Sequence, residues 1–147
     1  MKTKIIILGA IVLAYFAAAL ITLPRGSDEE KIRNLIADIA ASVERHEAAP
    51  IIARLSKDYK DEEGRDYMLM RAYVIDVIYS NKKRDYAVTT KIHTVKVKGD
   101  TAVAYVLGKA EWEDEMYSYL FDLRLVREKR YRFFVIPTAE WRLTAVN

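Results

Sequence analysis

The feature that most constrains the fold is a change in apolar periodicity near residue 85. Before this point, apolar side chains recur at the three- and four-residue spacing of helices. After it, β-branched and aromatic residues dominate, and they alternate along short segments. Because the helical segments all precede the strand segments, the sequence predicts an α+β domain.

Three helices are predicted in the first part of this domain. Ser27 and Glu30 form an S-x-x-E capping box, which marks the start of the first helix. A short second helix has Pro50 in its first turn, where a missing N–H costs little. A polar loop over residues 56–65 follows, and then a third helix over residues 66–80. The first helix carries one apolar stripe: Ile32, Leu35, Ile36, Ile39 and Val43.

An antiparallel sheet of about four strands is predicted after the helices. Residues 99–100, Gly-Asp, are typical of a hairpin turn. The apolar parity changes near His93, which predicts a bulge there and a curved sheet. Residues 127–132 are interpreted as a basic connection, and residues 131–136 as either a further strand or a packed loop. The predicted strand segments are residues 86–98, 101–112, 117–125 and 140–146.

The strand over residues 101–112 is apolar on both faces. Val103, Tyr105 and Leu107 alternate with the apolar residues of the other face. Helices can cover only one face of such a strand, so the other needs a further partner. We therefore expect a homodimer formed by a second copy of the chain.

An uncharged run of 19 residues, residues 5–23, precedes the predicted domain. As a helix it would be about 28 Å long, close to the thickness of the hydrocarbon core of a bilayer. Lys2 and Lys4 stand before it, which favours a signal-anchor with the C-terminal domain outside the cytoplasm. The alternative is a signal peptide cleaved near Ala19, giving a secreted or periplasmic protein. Residues 1–26 are thus assigned to the membrane segment and residues 27–147 to one domain.

Charge and composition exclude several function classes. The chain after the apolar run contains 22 of the 24 basic residues and all 21 acidic residues, so its charges nearly balance. This balance argues against nucleic-acid binding, which needs a concentration of positive charge. The chain has no Cys and only two His, far apart, and it lacks the common metal and nucleotide motifs. We therefore expect no metal site and no cofactor.

The domain resembles the NTF2-like (cystatin-like, SnoaL-like) superfamily. The resemblance is carried by the first amphipathic helix, LSKDYKDEEG at 55–64, VKVKGDTAVAYV at 95–106 and EWRLTAV at 140–146. It implies a cone in which three helices close over the concave face of a curved sheet and leave an apolar pocket. Members include isomerases, dehydratases and hydrolases as well as proteins that only bind ligands or partners, so the fold does not choose among these functions.

Three ionisable residues are candidates for catalysis in such a pocket. Asp76 lies beside the apolar stripe of the third helix, and Asp122 lies on the strand parity opposite its aromatic residues. His93, at the predicted bend, has a side chain that can act as a general base. For each residue the alternative is an ordinary structural role, and no reaction is indicated by their spacing.

Four large aromatic residues are candidates for ligand binding. Tyr59, Tyr73, Tyr119 and Trp141 fall on or beside faces predicted to be interior, where they could line an apolar pocket or simply form the core. The leading hypothesis is a membrane-tethered, non-catalytic domain that binds a protein partner in the cell envelope or a small apolar ligand. The alternative is an exported isomerase, dehydratase or hydrolase.

Overall fold

The computed structural model describes residues 10–18, 26–132 and 136–147 of the chain. Within residues 26–147, three helices precede four strands, as the change of periodicity predicts. The helices are α1 (Asp28–Glu44), α2 (Ala48–Ile52) and α3 (Tyr67–Ser80). The strands are β1 (Ala87–Lys98), β2 (Thr101–Trp112), β3 (Glu115–Arg132) and β4 (Ile136–Val146).

Residues 10–18 are helical. The predicted membrane span, residues 5–23, extends on both sides beyond these described residues. The predicted cleavage point near Ala19 also lies outside the described residues. Within the described parts of the chain, no helix is long and apolar enough to cross a membrane.

The capping box predicted at the start of α1 is confirmed in part. Ser27 Oγ accepts a hydrogen bond from the Glu30 N–H at 3.2 Å. Asp28, in the first turn, accepts bonds from Trp141 Nε1 and Arg127 Nη1, both at 3.1 Å. Trp141 belongs to β4 and Arg127 to β3, so the Asp28 carboxylate links the start of α1 to the sheet. Its negative charge also stabilises the positive end of the α1 dipole.

The four strands form one curved antiparallel sheet in the order β1-β2-β3-β4. The register of β1 against β2 shifts between Ile92 and Thr94, which confirms the bulge predicted near His93. The interpretation of residues 127–132 as a connection is wrong, because β3 continues through them and pairs with β4 as far as Arg132. The acidic and basic side chains there obscured the strand pattern.

The core lies between the helices and one face of the sheet. Small side chains at Ala102 and Ala104 of β2 belong to the same buried cluster as the larger apolar residues of α1. This arrangement confirms that the α1 stripe packs on the sheet. The buried cluster also contains Ile32, Leu35, Ile36, Leu55, Tyr59, Met70, Val106, Leu123, Leu125, Trp141 and Leu143.

The segment between α2 and α3 runs along the free edge of β4. The Ser56 N–H donates to the Leu143 carbonyl at 2.8 Å, and the Leu143 N–H donates to the Arg54 carbonyl at 2.8 Å. The Lys60 N–H donates to the Thr144 carbonyl at 2.9 Å. The loop predicted over residues 56–65 is confirmed, because these residues form no helix or strand. Its first part is held against the edge of β4 by these bonds and by a single bridge between Leu55 and Leu143.

Candidate functional site

A cleft of about 400 Å³ lies where α2, the start of α3 and the strands β3 and β4 meet. It opens to solvent, and four of the side chains that line it are basic: Lys57, Arg71, Arg130 and Arg142. The remaining lining is mainly apolar and consists of Ala49, Ile52, Ala53, Leu55 and the Tyr67 ring. The cleft therefore combines an apolar surface with concentrated positive charge.

Two of these cations are held in place by carboxylates. Arg142 contacts Glu140 at 3.0 Å and Glu128 at 3.3 Å, and it also donates to the Ala53 carbonyl. Arg130 lies 3.5 Å from Glu128. The Arg142 side chain is only 13% exposed, so its position is fixed by partners on β3, on β4 and after α2.

The other two cations lack carboxylate partners. Among the residues described, neither Lys57 nor Arg71 forms an ion pair. Lys57 Nζ lies 3.8 Å from the centroid of the Tyr67 ring, in a cation–π contact that orders the side chain without neutralising it. Lys57 and Arg71 can therefore meet an anion from solution without first breaking an ion pair.

A buried hydroxyl supports the carboxylate behind the cleft. Ser56, with no exposed surface, donates from Oγ to Glu128 Oε1 at 2.5 Å. The same Oγ accepts a bond from the Asp58 N–H at 3.2 Å. Glu128 thus contacts Ser56 through one oxygen and the Arg130 and Arg142 guanidinium groups through the other, so it holds both arginines of the cleft near one carboxylate.

A second buried polar cluster stabilises the segment next to the cleft. Asp61 accepts bonds from Arg65 Nε at 2.7 Å and from the Tyr59 hydroxyl at 3.1 Å. Burial raises the pKa of Asp61, but the bonds from Arg65 and Tyr59 outweigh burial, and the net pKa is lowered. Burial, together with the bond to Asp61, raises the pKa of Tyr59, so its hydroxyl stays protonated.

The three catalytic candidates do not line the cleft. Asp76 and His93 are exposed, on α3 and at the β1 bulge respectively. Asp122 is half-buried, and its Oδ1 has no hydrogen-bond partner among the described residues. Proton transfer in a dry pocket requires such groups to converge on one cavity. Asp76 and His93 are exposed to solvent, so they do not meet this requirement.

The four aromatic candidates also do not line the cleft. Tyr59 and Trp141 are buried in the core, and each has a polar partner. The sequence predicts interior positions for Tyr73 and Tyr119 as well, but these residues are 51% and 62% exposed. Tyr73 turns outward because α3 buries a narrower face than its periodicity predicts. Tyr119 shares its strand face with Phe121, but the helices do not cover the sheet that far along β3.

No metal-binding cluster is present among the described residues, where no three His, Cys, Asp or Glu side chains group suitably. The cleft residues themselves were not predicted from the sequence. The only signal is the alternation of residues 126, 128 and 130, which places Glu128 and Arg130 on one face of β3. That signal is lost when the segment is interpreted as a connection.

This fold, helices followed by a curved four-stranded sheet, is NTF2-like, also called cystatin-like. No protein-family model and no curated protein matches the sequence. Solved structures match it instead. An NTF2-like protein of unknown function from Shewanella oneidensis MR-1 aligns with a TM-score of 0.63 and 11% identity, over 82% of this chain and 97% of that chain.

Two further solved structures agree with this fold. A domain of unknown function with a cystatin-like fold from Nostoc punctiforme PCC 73102 has a TM-score of 0.62 and 12% identity, over 84% of this chain and 76% of that chain. A protein from a Streptomyces species has a TM-score of 0.64 and 10% identity, over 85% of this chain and 91% of that chain. At these identities the likeness shows the fold alone.

Proposed function

We propose that the domain binds a small amphiphilic anion in the basic cleft and does not catalyse a reaction. The observation that carries this proposal is the presence of Lys57 and Arg71, without carboxylate partners, beside an apolar lining. An oxyanion, carboxylate or phosphate, would gain charge-assisted hydrogen bonds from these cations. An aliphatic or aromatic body attached to it would bury apolar surface against Ile52 and Leu55.

The size of the cleft suits such a ligand. Pockets for small molecules usually span about 300–1,000 Å³ and combine apolar lining with a few placed polar groups. A volume of about 400 Å³ lies at the small end of this range. The ligand is therefore expected to be smaller than a typical cofactor, with one charged head and a short apolar body.

The alternative function is an exported isomerase, dehydratase or hydrolase. The exposure of Asp76 and His93 supports binding over catalysis, because exposed groups keep ordinary solvation and do not surround a substrate. For the enzyme, Asp122 would have to act with partners that approach only after a conformational change.

The location we propose is the cell membrane, with the domain held outside the cytoplasm by residues 5–23. The uncharged run and the preceding lysines support it. Fractionation with an intact-mass measurement tests it. A full-length chain in the membrane fraction is the expected result. A soluble product starting near Leu20 would mean that the segment is a cleaved signal peptide, and the tether would be abandoned. If the full-length chain is in the membrane fraction, a protein partner in the envelope is sought by crosslinking.

Ligand binding is tested with a matched pair of probes, 4-phenylbutyrate and its uncharged amide. Calorimetric titration of the full-length protein in neutral detergent should show binding of the carboxylate and much weaker binding of the amide. The double variant Lys57→Gln/Arg71→Gln should lower the affinity for the carboxylate by about a hundredfold or more, because each of the two lost charge-assisted bonds contributes roughly 1.5–3 kcal/mol.

The control is Lys91→Gln/Lys96→Gln, which removes two exposed lysines from β1. It should leave the affinity unchanged. Equal binding of carboxylate and amide, or equal effects of the two double variants, would show that the cleft does not select anions.

A further inference from the structure

The outer face of α3 carries large apolar side chains that the rest of the described domain does not cover. Met70 and Ile78 are buried against the domain, as one face of a helix should be. On the remaining surface, four large residues are exposed by half or more of their area: Met68 (62%), Leu69 (57%), Tyr73 (51%) and Tyr79 (66%). A helix that is apolar on both sides normally has a second partner.

Cations lie near both ends of this face, and Arg65, at the N-terminal end, is paired with Asp61 and Glu63. Lys82 Nζ lies 5.9 Å from the centroid of the Tyr79 ring, and the Arg65 guanidinium lies 5.2 Å from that of Tyr73. Neither Lys82 nor Lys83 forms an ion pair with a described residue. Asp76 is the one acidic residue of α3. The face therefore presents apolar and tyrosine side chains with uncompensated positive charge at its C-terminal end.

This combination matches the chemistry of an anionic bilayer surface. Leucine and methionine side chains gain from entering the boundary between head groups and acyl chains. Tyrosine places its ring there and keeps its hydroxyl hydrated, and lysine extends its ammonium toward lipid phosphates. A protein partner would be expected to present acidic residues to Lys82 and Lys83, whereas a bilayer supplies the negative charge and the apolar layer together.

We propose that the outer face of α3 docks on the surface of an anionic lipid bilayer, with α3 lying in the plane of the interface. This inference is independent of ligand binding in the cleft. It uses the proposed tether only as the element that keeps the domain near the membrane, which raises the effective concentration of the surface. Asp76 opposes docking, because it brings a negative charge toward anionic head groups.

The absence of Cys from the chain allows a direct test by site-specific spin labelling. The variant Leu69→Cys is labelled in the full-length protein, which is reconstituted into vesicles of phosphatidylcholine alone or mixed with phosphatidylglycerol. The expected result is that the label is relaxed by a lipid-soluble agent and protected from an aqueous one on the mixed vesicles only. Tyr79→Cys provides a second label on the same face.

The control label is Ala37→Cys, at an exposed position of α1. It should stay in water on both kinds of vesicle. Labels at 69 and 79 that remain aqueous on the mixed vesicles overturn the proposal. Protection from the aqueous agent without relaxation by the lipid-soluble agent also overturns it, because the face then contacts protein. Loss of the chain from both kinds of vesicle would instead indicate failure of the tether.

Charge variants separate lipid docking from other causes of protection. Lys82→Gln/Lys83→Gln should lower the ratio of docked to undocked protein by about tenfold, and Asp76→Asn should raise it several-fold. Arg71 is left unchanged because it also lines the cleft. The matched control, Lys96→Gln/Lys98→Gln on β1, should have no effect. Equal effects of the two lysine pairs would show that net charge alone, without a docking face, controls association.

Discussion

Asp61 shows how a single residue can stabilise the segment beside the cleft. Its carboxylate is buried, yet it remains charged because Arg65 and Tyr59 donate hydrogen bonds to it. The Arg65 N–H donates to the second oxygen at 2.9 Å. The three residues lie within one short stretch of sequence, but only the burial of Tyr59 in the core makes their bonds strong. The sequence alone predicts a polar loop here, with Tyr59 on or beside an interior face.

The variant Asp61→Asn should change how stability depends on pH. The pKa of Asp61 is lowered in the folded state, so the unfolded chain binds its proton first as the pH falls. The contribution of Asp61 is therefore fully present above about pH 4 and is lost as the pH falls toward the folded-state pKa. Urea unfolding should show the variant about 2 kcal/mol less stable than the parent at pH 7. Below pH 4 the variant should lose less stability than the parent, because it has no Asp61 carboxylate to protonate.

The control for this measurement is Glu63→Gln. Glu63 also contacts Arg65, at 3.0 Å, but is 73% exposed, so its removal should cost less than about 0.5 kcal/mol. Identical acid profiles for the parent and Asp61→Asn would contradict the assigned role of Asp61.

At the scale of the element, local signals predicted the helices better than the strands. The cap at Ser27 and the apolar stripe of α1 act within a few residues, so they can be recognised in isolation. β3 is longer than predicted because its last residues are charged, and their strand conformation depends on pairing with β4. Strand preference of this kind follows the partner more than the residue itself.

The helix cap provides a prediction at this scale. Ser27→Ala removes the acceptor of the Glu30 N–H and should destabilise the domain by about 1 kcal/mol. Thermal or urea unfolding measures the loss. Ser80→Ala, at the exposed C-terminal end of α3, should leave stability nearly unchanged. Equal losses for the two variants would mean that the cap bond does not stabilise α1.

At the scale of the whole molecule, the described residues leave part of the sheet face opposite the helices exposed. Val103 and Leu107 are half-buried there, Tyr105 is 39% exposed, and Leu120 is 66% exposed. Tyr105 lies opposite Asp122 in the β2–β3 register, so this apolar surface adjoins the half-buried carboxylate. These positions keep the predicted homodimer as our proposal for this face.

Sedimentation equilibrium of the full-length protein in neutral detergent tests the homodimer. The parent chain should sediment as a dimer, and Leu107→Asp should raise the dissociation constant by about a hundredfold or more, because each copy would bury an unpaired charge. Leu69→Asp, on the outer face of α3, should leave the dimer intact. A monomeric parent chain, or dissociation by Leu69→Asp, would exclude this face as the dimer interface.

The sequence by itself determined what depends on near neighbours: the helical half, the strand half, the bulge near His93 and the cap at Ser27. Only the tertiary structure decided where the candidate site lies. The cleft joins Lys57, Arg71 and Arg142, which are far apart in the chain. They meet because residues 54–60 pair with the edge of β4 and because β3 extends to carry Glu128. Periodicity records which face of an element is apolar, but it contains no information about which distant side chains share a cavity.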